Sequence, residues 1–328
     1  MNIRKNIPLA QYTTFKIGGP ARFFCEAKDE EEILEALEFA REKNLPVFVL
    51  GGGSNVLVSD KGFDGVVIKI SNTAWKFDFH LGSRTSLIKC DAGIALSKIV
   101  IESVKAGLTG LEWAAGIPGT IGGAVRGNAG AYGGTIEDVV ESVKAFEISN
   151  FQFPISNKIP NQKSKTISNF KTKDCKFEYR NSIFKQNSNL IILSASLKIK
   201  KGNKAESEKK IKEILAKRKE KQPMEFPSPG SFFKNQIAKN KKLIRQFETD
   251  TGQKIKDNKI PAGYLIDQLD LRGKKIGGAM VSEKHANFIV NTGDATAENV
   301  IMLAAVIKTR VRNKFGIQLQ EEVQMMGF

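Results

Sequence analysis

The fold is decided by the stretch VFVLGGGSN, residues 47–55, in which an apolar strand runs directly into three glycines. Glycine has no Cβ, so the chain can turn tightly here and its backbone amides can approach an anion closely. A plain tight turn is the alternative, because a short glycine run is weak support for phosphate binding by itself. The stretch therefore predicts a strand followed by a loop that could face a phosphate.

Strand and helix signals alternate on both sides of that loop. Asp29 is a candidate helix N-cap with an acidic first turn behind it, and Glu32 stands at the capping-box position. Apolar residues then recur with helical spacing as far as Ala40. The predicted elements are a strand over 22–27, a helix starting at the Asp29 cap, a strand over 66–70 and a helix over 96–106. This order indicates an α/β unit.

A second glycine-rich block covers residues 116–134 and contains eight glycines. This density is too high for a helix or a central strand, and it predicts a loop wrapped against another part of the molecule. Two glycine loops in one α/β unit could hold both ends of a long, phosphate-bearing cofactor. The chain has neither the G-x-G-x-x-G fingerprint of a Rossmann site nor the G-x-x-x-x-G-K-[ST] motif of a P-loop.

The middle of the chain changes composition. Residues 150–176 are rich in Asn, Ser, Lys and Pro with little periodicity, which indicates a long surface insertion. A strand signal returns at 191–199, and the lysine-rich run 200–204 is the best candidate linker. We therefore place a domain boundary near residue 203.

The last third returns to helical and strand patterns. Residues 207–222 predict a basic helix whose apolar face holds Ile211, Ile214 and Leu215. Residues 260–291 mix a helix with strands. The clearest helix begins at Thr296 and stops at Gly316, with an inner stripe of Val300, Leu303, Ile307 and Val311. A final strand is predicted over 317–325.

The net charge is +16, from 51 Lys and Arg against 35 Asp and Glu, and it raises the alternative of a nucleic-acid-binding protein. Residues 151–260 hold 27 basic and 10 acidic residues, so the excess belongs to one segment. Its most basic part, 198–221, lacks the aromatic residues on which single-strand binders stack bases. A solvated lysine-rich helix is the simpler interpretation, and we expect no nucleic-acid partner.

Composition argues against several other classes. No run of about 18 apolar residues occurs, and the N-terminus lacks the apolar stretch of a signal peptide, so we expect a cytoplasmic protein without membrane insertion. Cys25, Cys90 and Cys175 are far apart and predict neither a disulfide framework nor a thiolate zinc site. With only His80 and His285 available, no histidine-based metal site is predicted.

Six motifs in a fixed order give the chain a family resemblance. They are TTFKIGGPA at 13–21, GGGSN at 51–55, GIPGTIGG through GAYG at 116–133, YRNS at 179–182, GSFFKN at 230–235 and VSEKHANF at 281–288. Over nearly its whole length, apart from the inserted segment, the chain resembles the UDP-N-acetylenolpyruvoylglucosamine reductase (MurB) family.

The resemblance implies a fold of the α+β class. It comprises an FAD-binding domain of the vanillyl-alcohol-oxidase (PCMH) type in two α/β subdomains, residues 1–70 and 71–203, and a C-terminal α+β substrate-binding domain, residues 204–328. The implied enzyme is an FAD-dependent oxidoreductase of peptidoglycan synthesis. In it, non-covalent FAD takes a hydride from NADPH and passes it to the enolpyruvyl double bond of a UDP-sugar, giving UDP-N-acetylmuramate. A monomer is expected.

The chemistry explains which side chains must converge. Hydride arriving at the methylene carbon pushes charge onto the enol carboxylate, which needs a cation, and a separate acid must protonate the neighbouring carbon. By resemblance, Arg180 lies against the carboxylate, Ser231 is the proton donor, and Glu322 is the third catalytic residue. A serine hydroxyl is a poor acid in water, so its site must stabilise the alkoxide, with Lys234 as a candidate helper.

The resemblance also assigns binding residues. Those expected to bind the cofactor are Gly51, Gly52, Gly53, Ser54, Asn55, Gly116, Ile117, Pro118, Gly119, Gly122, Gly123 and Arg218. Those expected to contact the uridine diphosphate or the sugar are Tyr132, Lys221, Asn235 and His285.

One enzyme alternative stays open, a flavin oxidase of the same superfamily that acts on an alcohol or a sugar. Such oxidases often tether FAD through a His or Cys, and neither residue type occurs in the two glycine loops. The segment between Arg180 and Ser231 lacks the tyrosine-bearing loop that some family members fold over the substrate, whereas 236–259 is a long insertion typical of the other subgroup. The subgroup therefore stays undecided.

Overall fold

The computed structural model describes residues 1–79, 84–148, 165–255 and 257–328. The chain divides into two compact units, each built from segments that are distant in sequence. Unit 1 comprises Met1–Ile7, Ala21–Gly52 and Asp64–Arg218. Unit 2 comprises Pro8–Pro20, Gly53–Phe63 and Lys219–Phe328.

The described residues form both strands and helices. The strands are β1 Arg4–Pro8, β2 Pro20–Ala27, β3 Val47–Leu50, β4 Val56–Val58, β5 Phe63–Ile70, β6 Trp75–Phe79, β7 Thr85–Asp91, β8 Leu108–Thr109, β9 Gly130–Ala131, β10 Gly134–Thr135, β11 Val140–Ile148, β12 Lys165–Lys171, β13 Leu190–Lys201, β14 Gln236–Ile237, β15 Lys259–Ile260, β16 Lys275–Ile276, β17 Ala279–Val281, β18 Ile289–Asn291 and β19 Gln324–Met326. The α-helices are α1 Glu30–Glu42, α2 Leu96–Lys105, α3 Ile121–Arg126, α4 Ile183–Gln186, α5 Lys204–Lys221, α6 Lys241–Thr251, α7 Ala262–Asp267 and α8 Ala297–Phe315. Short 3-10 helices cover Leu9–Tyr12, Glu112–Ala114, Ile136–Asp138 and Thr172–Cys175.

Two larger sheets form the described part of unit 1. One has the strand order β1-β2-β5-β3, with β3 parallel to β5. The other has the order β12-β11-β13-β7-β6, in which neighbouring strands are antiparallel. Helices α1 and α2 bury their apolar faces in the same core as these strands. The predicted strands over 22–27 and 66–70 and the predicted helices at the Asp29 cap and over 96–106 are confirmed, whereas five described strands, β3 to β7, follow one another between α1 and α2.

Helix α1 begins as the sequence predicts. The Asp29 side chain accepts a hydrogen bond from the Glu32 amide at 2.8 Å, and Glu32 in turn accepts one from the Lys28 amide at 2.7 Å. Both bonds satisfy backbone donors that have no partner inside the first turn. The apolar side chains Ile33, Leu37 and Ala40 lie on one face and are buried.

The prediction of a loop throughout 116–134 is wrong for α3, which forms inside that block. The Thr120 hydroxyl caps the helix by accepting from the Gly123 amide, and Ile121 and Val125 are fully buried. A Cβ on Gly122 would stand 2.8 Å from the Ala92 Cβ, so glycine lets the helix pack closely on its neighbour. Tertiary packing overrides the low helix propensity of glycine here.

Strand β12 lies inside the stretch that the sequence marks as an insertion of little periodicity. It pairs antiparallel with β11 in the register Val143↔Phe170, which extends the sheet by one strand. Residues 150–164 of the predicted insertion, like His80, lie outside the described residues.

In the described part of unit 2, short strands and helices surround a second core. Strands β16, β17 and β18 form one sheet, and β19 pairs parallel with β4, so residues from the start and the end of the chain share a ladder. The core includes Phe15 and Leu57 from the N-terminal segments, together with Phe232 and Phe233. Helix α6 lies in the middle of the segment 236–259, which the sequence marks as a second insertion.

Helix α8 confirms the strongest helix prediction. Thr296 is its N-cap and accepts a hydrogen bond from the Asn299 amide, while Gly316 closes it in the left-handed conformation at φ 67°. The predicted stripe residues are all fully buried, and they are Val300, Leu303, Ile307 and Val311.

Two predictions near the C-terminal third need correction. The final strand covers only Gln324–Met326 rather than 317–325, because the preceding residues make an isolated bridge, Phe233↔Glu321, instead of a continuous ladder. Helix α5 forms as predicted, with Ile211 and Ile214 packed on the core, but Leu215 is 44% exposed. Leu215 lies beside Gly116 instead, 3.0 Å from where a Cβ on that glycine would stand.

The three cysteines are free thiols buried in unit 1. Burial raises the pKa of each thiol to about 12, so all are protonated and unreactive at neutral pH. Across the described ranges, none of the helices has both the length and the apolar content needed to cross a bilayer.

Candidate active site

The two predicted glycine loops adjoin in unit 1. A Cβ on Gly52 would stand 2.7 Å from the Gly119 Cα, and a Cβ on Gly51 would stand 2.8 Å from the Thr120 hydroxyl. Gly116 and Gly119 have φ values of 74° and 113°, which side chains rarely allow. Glycine is therefore required at these positions for the backbones to meet.

The cation Arg218 lies against the second glycine loop. Its side chain is 7% exposed, and its Cδ is 2.9 Å from where a Cβ on Gly116 would stand. The guanidinium also lies 5.2 Å from the centre of the Tyr132 ring. Burial lowers the pKa of Arg218, yet a guanidinium stays charged in proteins. The loop thus has a buried positive charge beside it.

Glu112 fixes the helix that carries Arg218. Its carboxylate accepts hydrogen bonds from the Ser207 hydroxyl in the first turn of α5, from the Thr109 hydroxyl at 2.6 Å and from the Gly110 amide at 2.8 Å. Burial alone would raise the pKa of Glu112, but these donors outweigh it and hold the pKa below its usual range. The charged carboxylate therefore sets the position of α5.

Arg180 occupies a tight turn in unit 1. The backbones of Glu178 and Asn181 exchange two hydrogen bonds of 3.1 Å, which leaves Arg180 between them at φ 56°. Its Nη2 donates to the Gly130 carbonyl at 2.9 Å, and the guanidinium lies 5.3 Å from the centre of the Tyr179 ring. The turn presents a cation on a backbone conformation that is uncommon for arginine.

Ser231 lies in unit 2 at the start of a buried segment. It follows Gly230, whose φ is 84°, and forms an isolated antiparallel bridge with Phe288. The next residue, Phe232, donates its amide to the Asn287 carbonyl at 2.7 Å and has no exposed surface. The serine is thus held on a rigid backbone while it remains partly exposed itself.

Glu322 lies on the backbone segment next to Ser231. Its amide donates to the Phe232 carbonyl at 2.8 Å, and its carbonyl accepts from the Asn55 side chain at 3.1 Å. Asn55 also accepts the Gln324 amide at 3.0 Å. The structure therefore brings two of the three predicted catalytic residues onto neighbouring backbone segments of one unit, and the Asn55 side chain holds the second of these segments.

Asn287 is a structural member of this group that sequence reasoning missed. It is 4% exposed, its side-chain amide donates to the Phe233 carbonyl at 2.8 Å, and its side-chain oxygen accepts the Phe233 amide at 3.0 Å. These bonds tie the GSFFKN motif to the VSEKHANF motif. Both motifs are visible in the sequence, but only the folded chain shows that they pair.

His285 and Asn235 are positioned by the same pair of segments. His285 Nδ1 accepts the Asn287 amide at 3.2 Å, and its ring packs 4.8 Å from that of Phe288. Burial, together with the nearby Arg272 charge, lowers the pKa of His285, so it is neutral at pH 7. Asn235 accepts the Ala262 amide at 3.2 Å.

The predicted site residues are distributed over both units. Unit 1 holds Gly51, Gly52, Gly116, Ile117, Pro118, Gly119, Gly122, Gly123, Tyr132, Arg180 and Arg218. Unit 2 holds Gly53, Ser54, Asn55, Lys221, Ser231, Asn235, His285 and Glu322. Lys221 is exposed at the end of α5, and Gly122 and Gly123 lie within α3.

The donor set of unit 1 fits a phosphate-bearing cofactor such as FAD. Because Gly51 and Gly52 pack directly against Gly119 and Thr120, this part of unit 1 is formed by backbone rather than by bulky side chains, and backbone amides are suitable donors to phosphate. Arg218 adds a desolvated positive charge next to Gly116.

Two protein families match separate parts of the chain. Residues 222–326 match the family described as UDP-N-acetylenolpyruvoylglucosamine reductase, C-terminal domain. Residues 21–149 match the family described as FAD binding domain.

Known relatives match the chain along almost its full length. A UDP-N-acetylenolpyruvoylglucosamine reductase of Caldanaerobacter subterraneus is 38% identical over 322 residues, which cover 98% of this chain and 93% of that protein. One of Carboxydothermus hydrogenoformans is 39% identical over 325 residues, covering 99% of this chain and 94% of that protein.

A solved structure is similar over the same extent. The crystal structure of a UDP-N-acetylenolpyruvylglucosamine reductase (MurB) from Thermus caldophilus matches with a TM-score of 0.73 and 31% sequence identity. The match covers 99% of this chain and all of that one.

Proposed function

The chain belongs to the UDP-N-acetylenolpyruvoylglucosamine reductase family, and from that premise we propose which of its own residues carry the reduction. The predicted α+β fold, with an FAD-binding domain and a distinct C-terminal domain, is confirmed. The chain is an FAD-dependent oxidoreductase that reduces the enolpyruvyl group of UDP-N-acetylenolpyruvoylglucosamine, with NADPH as reductant, in peptidoglycan precursor synthesis.

FAD, when bound, supplies the hydride that NADPH donates and the enolpyruvyl double bond accepts. Gly51, Gly52 and the loop at 116–119 hold the cofactor through backbone amides in this proposal, and Arg218 compensates negative charge on it. Support comes from the close approach of the two loops and from the buried guanidinium. Loop amides that face one bound anion are a common way to hold phosphate.

Arg180 stabilises the substrate carboxylate in the proposed mechanism. Charge develops on that group when hydride reaches the methylene carbon, and a fixed guanidinium aimed at it stabilises the transition state more than the ground state. The bond from Arg180 to the Gly130 carbonyl supports this role, because it limits where the guanidinium can lie.

Ser231 donates the proton that completes the reduction. The carbon next to the carboxylate must receive a proton from a positioned acid. Ser231 lies on a backbone held by Phe288 and by the buried Phe232, so its hydroxyl is placed with little freedom. Lys234, three residues along the same segment, is the proposed cation that stabilises the alkoxide left behind.

Glu322 completes the proposed catalytic group. The observation that carries the proposal is the 2.8 Å hydrogen bond from the Glu322 amide to the Phe232 carbonyl, which places the Glu322 backbone beside the residue that follows Ser231. Tyr132, Lys221, Asn235 and His285 are the proposed contacts to the nucleotide sugar. A cytoplasmic monomer is the proposed working state.

A visible absorption spectrum tests the proposed function. The purified protein should be yellow, bleach when NADPH is added without oxygen, and recover its colour when UDP-N-acetylenolpyruvoylglucosamine follows. A protein that binds no flavin after FAD is added, or one that only oxygen and a simple sugar turn over, would contradict the proposal. Sedimentation equilibrium of the same sample tests whether the protein is a monomer in solution.

A further inference from the structure

Asn128 lies buried just beyond α3, and we propose that it is a positioning residue that holds Arg180 in its turn. The inference rests on the proposed role of Arg180 toward the substrate carboxylate. In this inference Asn128 acts through Arg180 and does not itself contact the cofactor or the substrate.

Every hydrogen-bonding group of the Asn128 side chain is used. The side-chain amide donates to the Glu178 carbonyl at 3.0 Å and to a Glu137 carboxylate oxygen at 3.3 Å. The side-chain oxygen accepts the Glu137 amide at 3.1 Å. With 3% of its surface exposed, Asn128 cannot exchange these partners for water without opening the structure. Its backbone is anchored too, since its amide donates to the Val125 carbonyl of α3 at 3.2 Å.

The Glu178 carbonyl that Asn128 holds is the one that closes the Arg180 turn. The same oxygen accepts the Asn181 amide at 3.1 Å, and the Glu178 amide donates to the Asn181 carbonyl at 3.1 Å. The Asn181 side chain adds a bond to the Glu178 carboxylate at 3.2 Å. The turn is therefore fixed at its first residue by Asn128 and across its base by Asn181.

Arg180 needs such a clamp because its backbone conformation is unfavourable. A φ of 56° suits glycine or asparagine, and an arginine stays there only when its surroundings determine the conformation. Without the bond from Asn128, the Glu178 carbonyl loses one of two partners and the turn can relax toward a conformation that arginine prefers. The guanidinium would then leave its present position.

A second connection runs through the side chain of Arg180. Its Nη2 donates to the carbonyl of Gly130, which lies two residues beyond Asn128 in the same segment. Ser182, on the other side of Arg180, is fully buried and donates to the Arg126 carbonyl at the end of α3. Residues 126–130 thus hold the turn through three groups, the Arg126 carbonyl, the Asn128 side chain and the Gly130 carbonyl. Of these, only Asn128 acts through a buried side chain.

The test measures the two half-reactions of the FAD-loaded enzyme separately by anaerobic stopped flow. Asn128→Gly removes the side chain but tolerates the φ of 42° at this position. We expect NADPH to bleach this variant as fast as the wild type, and reoxidation by UDP-N-acetylenolpyruvoylglucosamine to be about 10- to 100-fold slower, as for a catalytic group moved by about 1 Å. Equal slowing of both half-reactions, or none in reoxidation, would overturn the inference.

Asn72 provides the matched control. It is 7% exposed in the same unit, its side-chain amide donates to the Leu193 carbonyl at 3.0 Å, and its side-chain oxygen accepts the Gly93 amide at 3.0 Å. Asn72→Ala should leave the ratio of the two half-reaction rates unchanged. Hydrogen exchange of the cofactor-free protein should show faster exchange of the Asn181 amide in Asn128→Gly and not in Asn72→Ala. Unchanged exchange in both variants would also overturn the inference.

Arg180→Gln separates this inference from the proposed function. If Arg180→Gln itself reoxidises normally, the proposed role of Arg180 is wrong and the inference fails with it. If Arg180→Gln is slow, the double variant with Asn128→Gly should be no slower than Arg180→Gln alone, because both changes remove one function. If the double variant is slowed by the product of the two single effects, Asn128 acts independently of Arg180.

Asn128→Asp keeps the test decisive if the glycine variant does not fold. The aspartate can still accept the Glu137 amide, but when ionised it cannot donate to the Glu178 carbonyl. Protonation restores a donor, so the deficit in reoxidation relative to wild type at the same pH should shrink as the pH falls. A deficit that stays constant with pH would contradict a role for the bond to Glu178.

Discussion

At the scale of single residues, three residues at or beside the site have strained backbone conformations. Asn128, Tyr132 and Arg180 have φ values of 42°, 48° and 56°. Each left-handed residue other than glycine costs roughly 1 kcal/mol or more, so such residues persist where hydrogen bonds determine the conformation. In unit 1, the side-chain bond from Asn128 and the paired backbone bonds around Arg180 hold this turn in its conformation. Strain here is the consequence of placing a cation on a turn.

Replacing Ser231 by alanine tests the proposed acid. Only the half-reaction with the nucleotide sugar needs a proton on carbon, so bleaching by NADPH should be unchanged while reoxidation slows by about 100-fold or more. Ser228→Ala is the control, because Ser228 lies in the same loop and holds Thr14 through its backbone carbonyl. Equal losses in the two half-reactions of Ser231→Ala, measured by stopped flow, would contradict the role.

The pH dependence of stability tests the buried state of His285. Its folded pKa is lowered below the ordinary value of about 6.5 by burial and by Arg272. Below about pH 6.5 the unfolded chain binds a proton at His285 that the folded chain does not bind. The contribution of the neutral His285 to stability is therefore present above about pH 6.5 and is lost as the pH falls. In His285→Asn the side-chain oxygen can still accept the Asn287 amide but cannot titrate.

Urea unfolding at pH values between about 7.5 and 5.5 measures this effect, in the range where a histidine titrates. The wild type should lose more stability over that range than His285→Asn. Parallel losses in the two proteins would mean that His285 is not the group responsible.

At the scale of elements, local signals settle a helix when its cap and its stripe agree. Thr296, Gly316 and four buried apolar residues define α8 in the sequence and in the structure alike. In α3 the local sequence predicts a loop, because glycines lower helix propensity, yet a helix forms. Its packing against Ala92 requires a small residue at 122. The final strand is shorter than predicted because its partner segment, 231–234, offers isolated bonds rather than a ladder.

Truncating two neighbouring residues of α8 should change the free energy of unfolding by very different amounts. Leu303 is fully buried in the core of unit 2, whereas Met302 is 49% exposed. Leu303→Ala should lower the free energy of unfolding by roughly 2–5 kcal/mol through lost burial and a cavity. Met302→Ala should change it by about 0.5 kcal/mol or less. Urea denaturation of both variants checks the difference, and similar values would contradict the assigned faces of α8.

At the scale of the whole molecule, neither compact unit is a continuous piece of chain. Unit 2 takes 8–20 and 53–63 from the N-terminal third. Asp60 caps α8 by accepting the Ala297 amide at 2.8 Å, β4 pairs with β19, and Phe15 is fully buried in the core. The predicted domain boundary near 203 stays a prediction, since α5 starts at Lys204 while unit 1 continues to Arg218.

The fragment 219–328 should therefore not fold by itself. It lacks Asp60, which accepts the Ala297 amide at the start of α8, as well as the partner of β19 and the buried residues Phe15 and Leu57. We expect weak near-ultraviolet circular dichroism and no cooperative urea transition from the fragment, in contrast to the full chain. A cooperative transition of the isolated fragment would show that the N-terminal segments are dispensable for unit 2.

The sequence by itself determined the family, the cofactor and the main helices, because motifs, caps and apolar periodicity are local patterns of residues. The structure decided how distant segments combine: Glu322 beside Phe232, Asn55 on the Glu322 carbonyl, and Asn128 on the turn of Arg180. Such bonds join residues from 50 to 267 positions apart, and a single sequence records no pairing between them. Side-chain type predicts what a residue can do, whereas its partners depend on the packing of the folded chain.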